Sequence, residues 1–369
     1  MDPIDWSAAQ RIGELVAHAG GPGKIDAGVR AEAVETRAHD FAARVSSYSG
    51  LPVGGELPPL ELVDRPSWIA ANLQTMRPML APLSERLGDQ GGPMSGPLRS
   101  VSGLVLGAQV GALTGMLSQR VLGQYDVALL DPGVPPRLLL LAPNLGQAAS
   151  NLELDSEELM LWVAIHEITH AVQFSGAPWL REHVGGMLSE LLAGLQVALG
   201  GDAGSGPEGK GAGSGGSGPG WLPRLPDPGE LREMLDRARR GELLRLTLGE
   251  DRWRLVERMQ TTMSVIEGHA EHVMDAVGAE VLPSLPRLRA AMTRRRSQRG
   301  LPWRVLEKLL GLELKMRQYE TGRRFCDAVV ASGGSQALAL VWSGPEALPS
   351  ADELEHPDRW TARMMPAAA

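Results

Sequence analysis

The 369-residue chain contains a single cysteine, Cys326, so no disulfide can form within it. That excludes the cross-braced secreted scaffolds and suits a reducing compartment. Aromatic side chains are few beyond nine tryptophans, with three Phe and three Tyr. The core must come mostly from Leu, Val, Ala and Met, which favours helices over strands. An excess of positive charge is also missing. The net charge is −8, which argues against a general nucleic-acid binder. The opening residues, MDPIDWSAAQRIGEL, lack a basic segment followed by an apolar one. No signal peptide is expected, and the expected location is cytoplasmic.

Long apolar runs are nearly absent too. The longest uncharged stretch is SVSGLVLGAQVGALTGMLSQ, residues 100–119. It approaches spanning length but carries Ser, Gln and Thr. Gly103, Gly107, Gly111 and Gly115 recur every four residues and so share one helix face. We expect a buried helix packed closely on a neighbour, without stable membrane insertion.

Periodicity and breakers predict a mainly α fold with a small β-sheet. Residues 5–48 read as helical, and SGLPVGGELPPL after them as a Pro/Gly break. A helix over 66–88 carries Pro78 and Pro82, which should interrupt it. Short apolar runs at 126–130 and 137–142 read as strands. Residues 201–220, GDAGSGPEGKGAGSGGSGPG, cannot supply a core and read as a mobile insertion. Helices are expected again over about 228–241, 250–281 and 302–331. The expected organisation is an N-terminal helical region (1–95), a catalytic region (96–362) containing the Gly/Ser insertion, and a tail (363–369). The basic cluster TRRRSQRG, 293–300, reads as an exposed loop.

What stands out is LMLWVAIHEITHAVQF, residues 159–174. Asp155 can cap this helix with Glu158 as its N3 partner, and Gly176 and Pro178 close it. His166 and His170 lie four apart, on one helix face, and can direct two imidazoles at one ion. Glu167 can reach the same point from the side and act as a general base. Leu159, Val163, His166 and His170 form one stripe, so the histidines take positions where aliphatic residues would otherwise pack. The H-E-x-x-H pattern thus supplies two metal ligands and a base.

Catalytic zinc usually takes three protein ligands. No third histidine follows in the spacing of the extended motif, because Gln173, Gly176 and Trp179 occupy that run. Two carboxylates compete. Glu267, in MSVIEGHAEHVMD (263–275), flanks the apolar stripe of its helix, and Glu271 one turn on could accept a ligand histidine's other N–H. His269 is a further candidate ligand or a donor to a developing oxyanion. His272 and Asp275 read as a solvated face. Glu190 is the rival, twenty residues after His170.

The blocks LGQYDV, HEITHAVQFSGAPWLREHV, VIEGHAEHVMDAVG, LLGLELKMRQYETGRRFCDAVV and VWSGPEALPSADELEHPDRW together resemble the actinobacterial zincin-like metallopeptidase type 2 family. Its members are often labelled as hydrolases associated with deazaflavin-coenzyme biosynthesis. The resemblance runs from about residue 95 to 362. It implies a mainly helical zincin-like metallohydrolase fold binding Zn2+ through His166, His170 and Glu267, with Glu167 as base. Within these blocks Trp179 and Arg181 could border the cleft, and Tyr125 and Asp126 lie near a possible edge strand. Arg317 and Tyr319 could contact substrate or oxyanion. Cys326 reads as a small core residue. The expected activity is zinc-dependent hydrolysis of a peptide or protein substrate. The alternative is an inactive zincin-like scaffold acting as a binding partner.

Overall fold

The structure is a computed structural model, and it describes residues 4–21, 31–89, 96–131, 133–200, 250–297 and 312–366. The Gly/Ser stretch and the helix expected near 228–241 lie outside these residues. Within them the chain is mainly helical around one small sheet.

Helices α1 (Trp6–Ala19) and α2 (Ala31–Ser49) lead into strand β1 (Leu60–Val63). Helices α3 (Arg65–Asp89) and α4 (Gly96–Ser118) follow, then strands β2 (Gly123–Asp126) and β3 (Arg137–Leu141). Next come α5 (Ala142–Leu152), α6 (Ser156–Gly176) and α7 (Trp179–Gly200). After the undescribed segment run α8 (Glu250–Val281), α9 (Leu285–Ser297) and α10 (Leu312–Gly333). Short helices at Leu338–Val341, Ala351–Glu355 and Pro357–Met364 end the chain.

The sheet has the order β1-β3-β2, with β1 parallel and β2 antiparallel to β3. Residues 138–141 of β3 are four leucines, all fully buried. Alternate side chains of a strand face opposite sides. Leu138 and Leu140 join the large core with α2, α5, α6 and α8, while Leu139 and Leu141 join a smaller one with α1 and α3. A continuous apolar run is what a strand covered on both faces requires.

The glycine stripe of α4 lies against α1. A Cβ at Gly107, Gly111 or Gly115 would come within 2.3, 2.1 or 2.4 Å of the carbonyl oxygens of Asp5, Ala9 and Gly13. The stripe is a close helix–helix contact, as expected. No helix among the described residues is long and apolar enough to cross a membrane.

Four expectations need correction. The basic cluster read as a loop begins inside α9, which runs to Ser297. Helix α3 runs through Pro78 and Pro82 without a break. The first predicted strand lies three residues earlier, at Gly123–Asp126. Strand β1 begins on Leu60, the last residue of a segment read as a Pro/Gly break. Only four residues long, it owes its extended form to pairing with β3, in the register Leu60 opposite Leu138.

Candidate metal centre

Helix α6 begins as its sequence indicates. The Asp155 carboxylate accepts from the Glu158 N–H at 2.9 Å. The reciprocal half of the box is absent, because the Glu158 carboxylate instead accepts from the Ser284 backbone N–H and hydroxyl at the start of α9. Most of α6 is buried, on every side. A helix apolar all round must sit inside other elements, and α6 packs on α2, α5, α8 and β2.

On the α8 side the chain brings three ligand atoms together. Nε2 of His166 lies 3.2 Å from Nε2 of His170. Oε2 of Glu267 is 3.6 Å from the first and 3.7 Å from the second. These were the only His, Cys, Asp and Glu side chains among the described residues to form such a cluster. A point equidistant from three atoms at these separations lies about 2.0 Å from each, the length of a bond from imidazole or carboxylate to zinc. The donor set therefore fits a divalent first-row ion. His170 is 11% exposed in its side chain, and His166 and Glu267 are about twice as open, so the trio can be reached from outside.

Glu267 is held there by helix packing. Helices α8 and α10 cross where Gly268 meets Gly322. A Cβ at Gly268 would sit 2.1 Å from the Gly322 carbonyl carbon. One at Gly322 would come still closer to the Ser264 carbonyl oxygen. Only glycine permits that approach. Burial opposes the Glu267 charge, but hydrogen bonds and charge from His166 and His170 outweigh it and hold the carboxyl well below its ordinary range. His170 shows the same balance. Burial disfavours its charged form, yet Glu267 raises the ring to about 9 in the metal-free protein.

Glu167 sits beside this trio and is almost fully buried. Its Oε2 accepts the backbone N–H of Tyr125 on β2 at 2.7 Å. Burial pushes its carboxyl above the ordinary range, against the opposing charges of His166 and His170. A carboxylate with a raised pKa is a better proton acceptor near neutrality. Gly123 makes room for it: a Cβ there would lie 2.8 Å from both Cγ and Oε1 of Glu167.

Sequence reasoning missed Gln173. Its side-chain N–H donates to the Ile266 carbonyl at 2.9 Å, which fixes the amide's orientation, because a carbonyl can only accept. Its Oε1 then accepts from Nδ1–H of His170 at 2.8 Å. Nε2 of His170 is left with a lone pair, as a metal ligand needs. The signal was present, since Gln173 follows His170 by three residues, one turn along the same helix. For His170, then, the partner is Gln173 and not Glu271.

His269 is not one of the three converging residues. It is buried behind them, with Nδ1 2.9 Å from the Gln173 amide nitrogen and its ring edge-on to Trp342. Burial drives its pKa down to about 3, so it is neutral. Glu190 is exposed on α7, away from the cluster. Tyr319 and Arg317 lie on α10, but their side chains are outside the described residues. His272 and Asp275 are not a solvated face. His272 lies between Tyr48 at 2.9 Å and Asp327 at 2.5 Å, and Asp275 is buried against Arg289 and Arg323. Cys326 is buried, and burial raises its thiol.

Arg181 donates to the carbonyls of Ala128, Asp131 and Val134 and so pins the loop between β2 and β3. It also lines a cavity of about 160 Å³ beside the metal helix, with Leu57, Tyr125, Phe174 and Ser175. Trp179 donates its indole N–H to the Trp342 carbonyl.

A family model described as zincin-like metallopeptidase matches residues 4–361. The chain belongs to the zincin-like metallopeptidase family. This zincin-like chain is also similar to a solved structure, the "crystal structure of a putative hydrolase with a novel fold from Chloroflexus aurantiacus". The two share 27% identity over 99% of this chain and 100% of the other, with a TM-score of 0.68. No curated protein matches the chain. Family and neighbour together indicate a metal-dependent hydrolase.

Proposed function

We propose that the protein is a zinc-dependent peptidase whose metal is held by His166, His170 and Glu267. The convergence of their three ligand atoms beside a buried carboxylate supports this reading. Two imidazoles and one carboxylate are a donor set suited to zinc, with a position left open. Zinc bound in this way polarises a carbonyl group and acidifies water.

The chain's own groups supply the rest. Glu167 takes a proton in the first step and returns it to the leaving amine, its carboxylate aimed by the Tyr125 N–H. Gln173 keeps the His170 proton on Nδ1. His269 reaches the centre only through Gln173, so its part is positional. Tyr319 remains the proposed oxyanion contact. Among the described residues β2 pairs with β3 alone, and its other edge, apart from the Tyr125 N–H that Glu167 takes, can align an extended peptide. The cavity between Tyr125, Phe174 and Arg181 can take one of the peptide's side chains.

The experiment is Glu167→Gln, with zinc content and turnover of a peptide library measured on the full chain. The expected result is zinc retained and turnover lost by at least a hundredfold. Full turnover in the variant would overturn the role of Glu167. No turnover in the zinc-loaded wild-type protein would favour an accessory scaffold.

A further inference from the structure

At the carboxyl ends of the two parallel strands lies a second cavity, of about 260 Å³, which shares no lining residue with the one beside the metal helix. Three arginines line it, Arg65, Arg120 and Arg295, with the amides of Gln119, Asn144 and Gln147 among the rest. Among the described residues, none that lines it is acidic.

Arg65 carries the argument. It follows β1 by two residues and opens α3, and it is only 4% exposed. Its guanidinium donates to Oδ1 of Asn144 at 2.8 Å, to the carbonyls of Ala17 and Gly21 at 3.3 and 3.1 Å, and to Oε1 of Gln147 at 3.1 Å. Every one of these acceptors is neutral. Among the described residues no carboxylate answers its charge, and burial lowers its pKa. A buried cation is normally paired with an anion. A guanidinium has five N–H donors, and these four bonds leave one, on Nη2, for another acceptor.

The surroundings point the same way. Arg295 crosses from α9 to donate to the Arg120 carbonyl at 3.0 Å, which brings a second guanidinium to the cavity wall. Helices α3 and α5 both begin here, directly after β1 and β3, and helix starts carry partial positive charge. Ligands of open sheets with parallel strands gather in this crevice, beyond the carboxyl ends of the strands.

We propose that this cavity binds a small phosphate-bearing molecule, its phosphate held by Arg65, Arg120 and Arg295. A guanidinium fork matches phosphate oxygens in pairs, and such bonds are charge-assisted. The volume admits a phosphate and a small group attached to it, and is too small for a macromolecule. The exposed Gln147 amide is the group a ligand displaces from Arg65.

The test is isothermal titration calorimetry on the zinc-loaded full chain at constant ionic strength. The probes are inorganic phosphate, ribose 5-phosphate and succinate. Phosphate or the sugar phosphate should bind, and Arg120→Gln and Arg295→Gln should each weaken it at least tenfold while peptide turnover stays unchanged. Arg65→Gln should abolish binding; if that variant does not fold, the other two decide. Tighter binding of the sugar phosphate assigns the site to a phosphorylated metabolite, and equal binding assigns it to free phosphate. No heat from either, equal affinity for succinate, or affinity unchanged in both variants would overturn the proposal, the last by placing the anion at the metal.

Discussion

Nδ1 of His170 lies 2.8 Å from Oε1 of Gln173, and the Ile266 carbonyl dictates which end of that amide faces the ring. One side chain therefore links α6 to α8 and sets the proton of a proposed metal ligand. Gln173→Ala should weaken zinc binding about 10–100-fold, the usual effect of losing an outer partner of a metal ligand. Gln173→Glu should restore part of it, because a carboxylate still accepts from Nδ1–H. Competition with a zinc-sensitive dye reads both. Wild-type affinity in Gln173→Ala would remove this role.

The third ligand can be tested directly. Glu267→Ala should lose bound zinc, and Glu190→Ala should keep it, since Glu190 is exposed on α7. Metal content of the two purified variants, measured side by side, decides. Zinc lost from Glu190→Ala and kept by Glu267→Ala would reverse the assignment.

Gly123 makes room for the proposed general base, Glu167. A Cβ there would press on Glu167 at 2.8 Å and on Val163 at 2.7 Å. Gly123→Ala should lower kcat by about 100-fold, the scale expected for a catalytic group misplaced by roughly 1 Å. Zinc content should stay full, because neither contact is to a ligand. Steady-state kinetics with metal analysis separates this from a folding defect.

Acidity should act on the metal-free protein in a defined window. The carboxyl of Glu267 is depressed in the folded state, so its contribution is present above about pH 4.5 and is lost as pH falls. His170 is raised from 6.5 to about 9, so its contribution is full below pH 6.5 and is lost as pH rises through 9. The Tm of chelator-treated protein should therefore decline between pH 6.5 and 9 through this pair. Zinc needs a deprotonated ring, so the stabilisation it adds should grow over the same range. His170→Ala should flatten both trends. Parallel melting curves with and without zinc report this.

Much of the centre could be read from sequence because its signals are local. A capped apolar run with two histidines four apart predicts α6, and Glu-Gly-His-Ala marks Glu267 on the expected helix. The missed features depend on distant partners. Strand β1 is four residues long and is extended only because β3, more than seventy residues later, pairs with it. Asp275 looked like surface because its cations, Arg289 and Arg323, arrive from α9 and α10. His272 was misread for the same reason, with its partners on α2 and α10.

The Gly268–Gly322 crossing bears on how this centre tolerates change. Backbone rests on backbone there, so the distance from α8 to α10 has a hard stop that no rotamer can relax. Substitutions elsewhere in the core alter side-chain volume around α8, but they cannot press that stop closer. Glu267, the residue next to it, is thereby kept from moving closer to α10 when the surrounding packing tightens. A designer repacking the apolar faces of this fold would therefore keep those two glycines, because a larger residue at either one forces α8 and α10 apart and shifts Glu267.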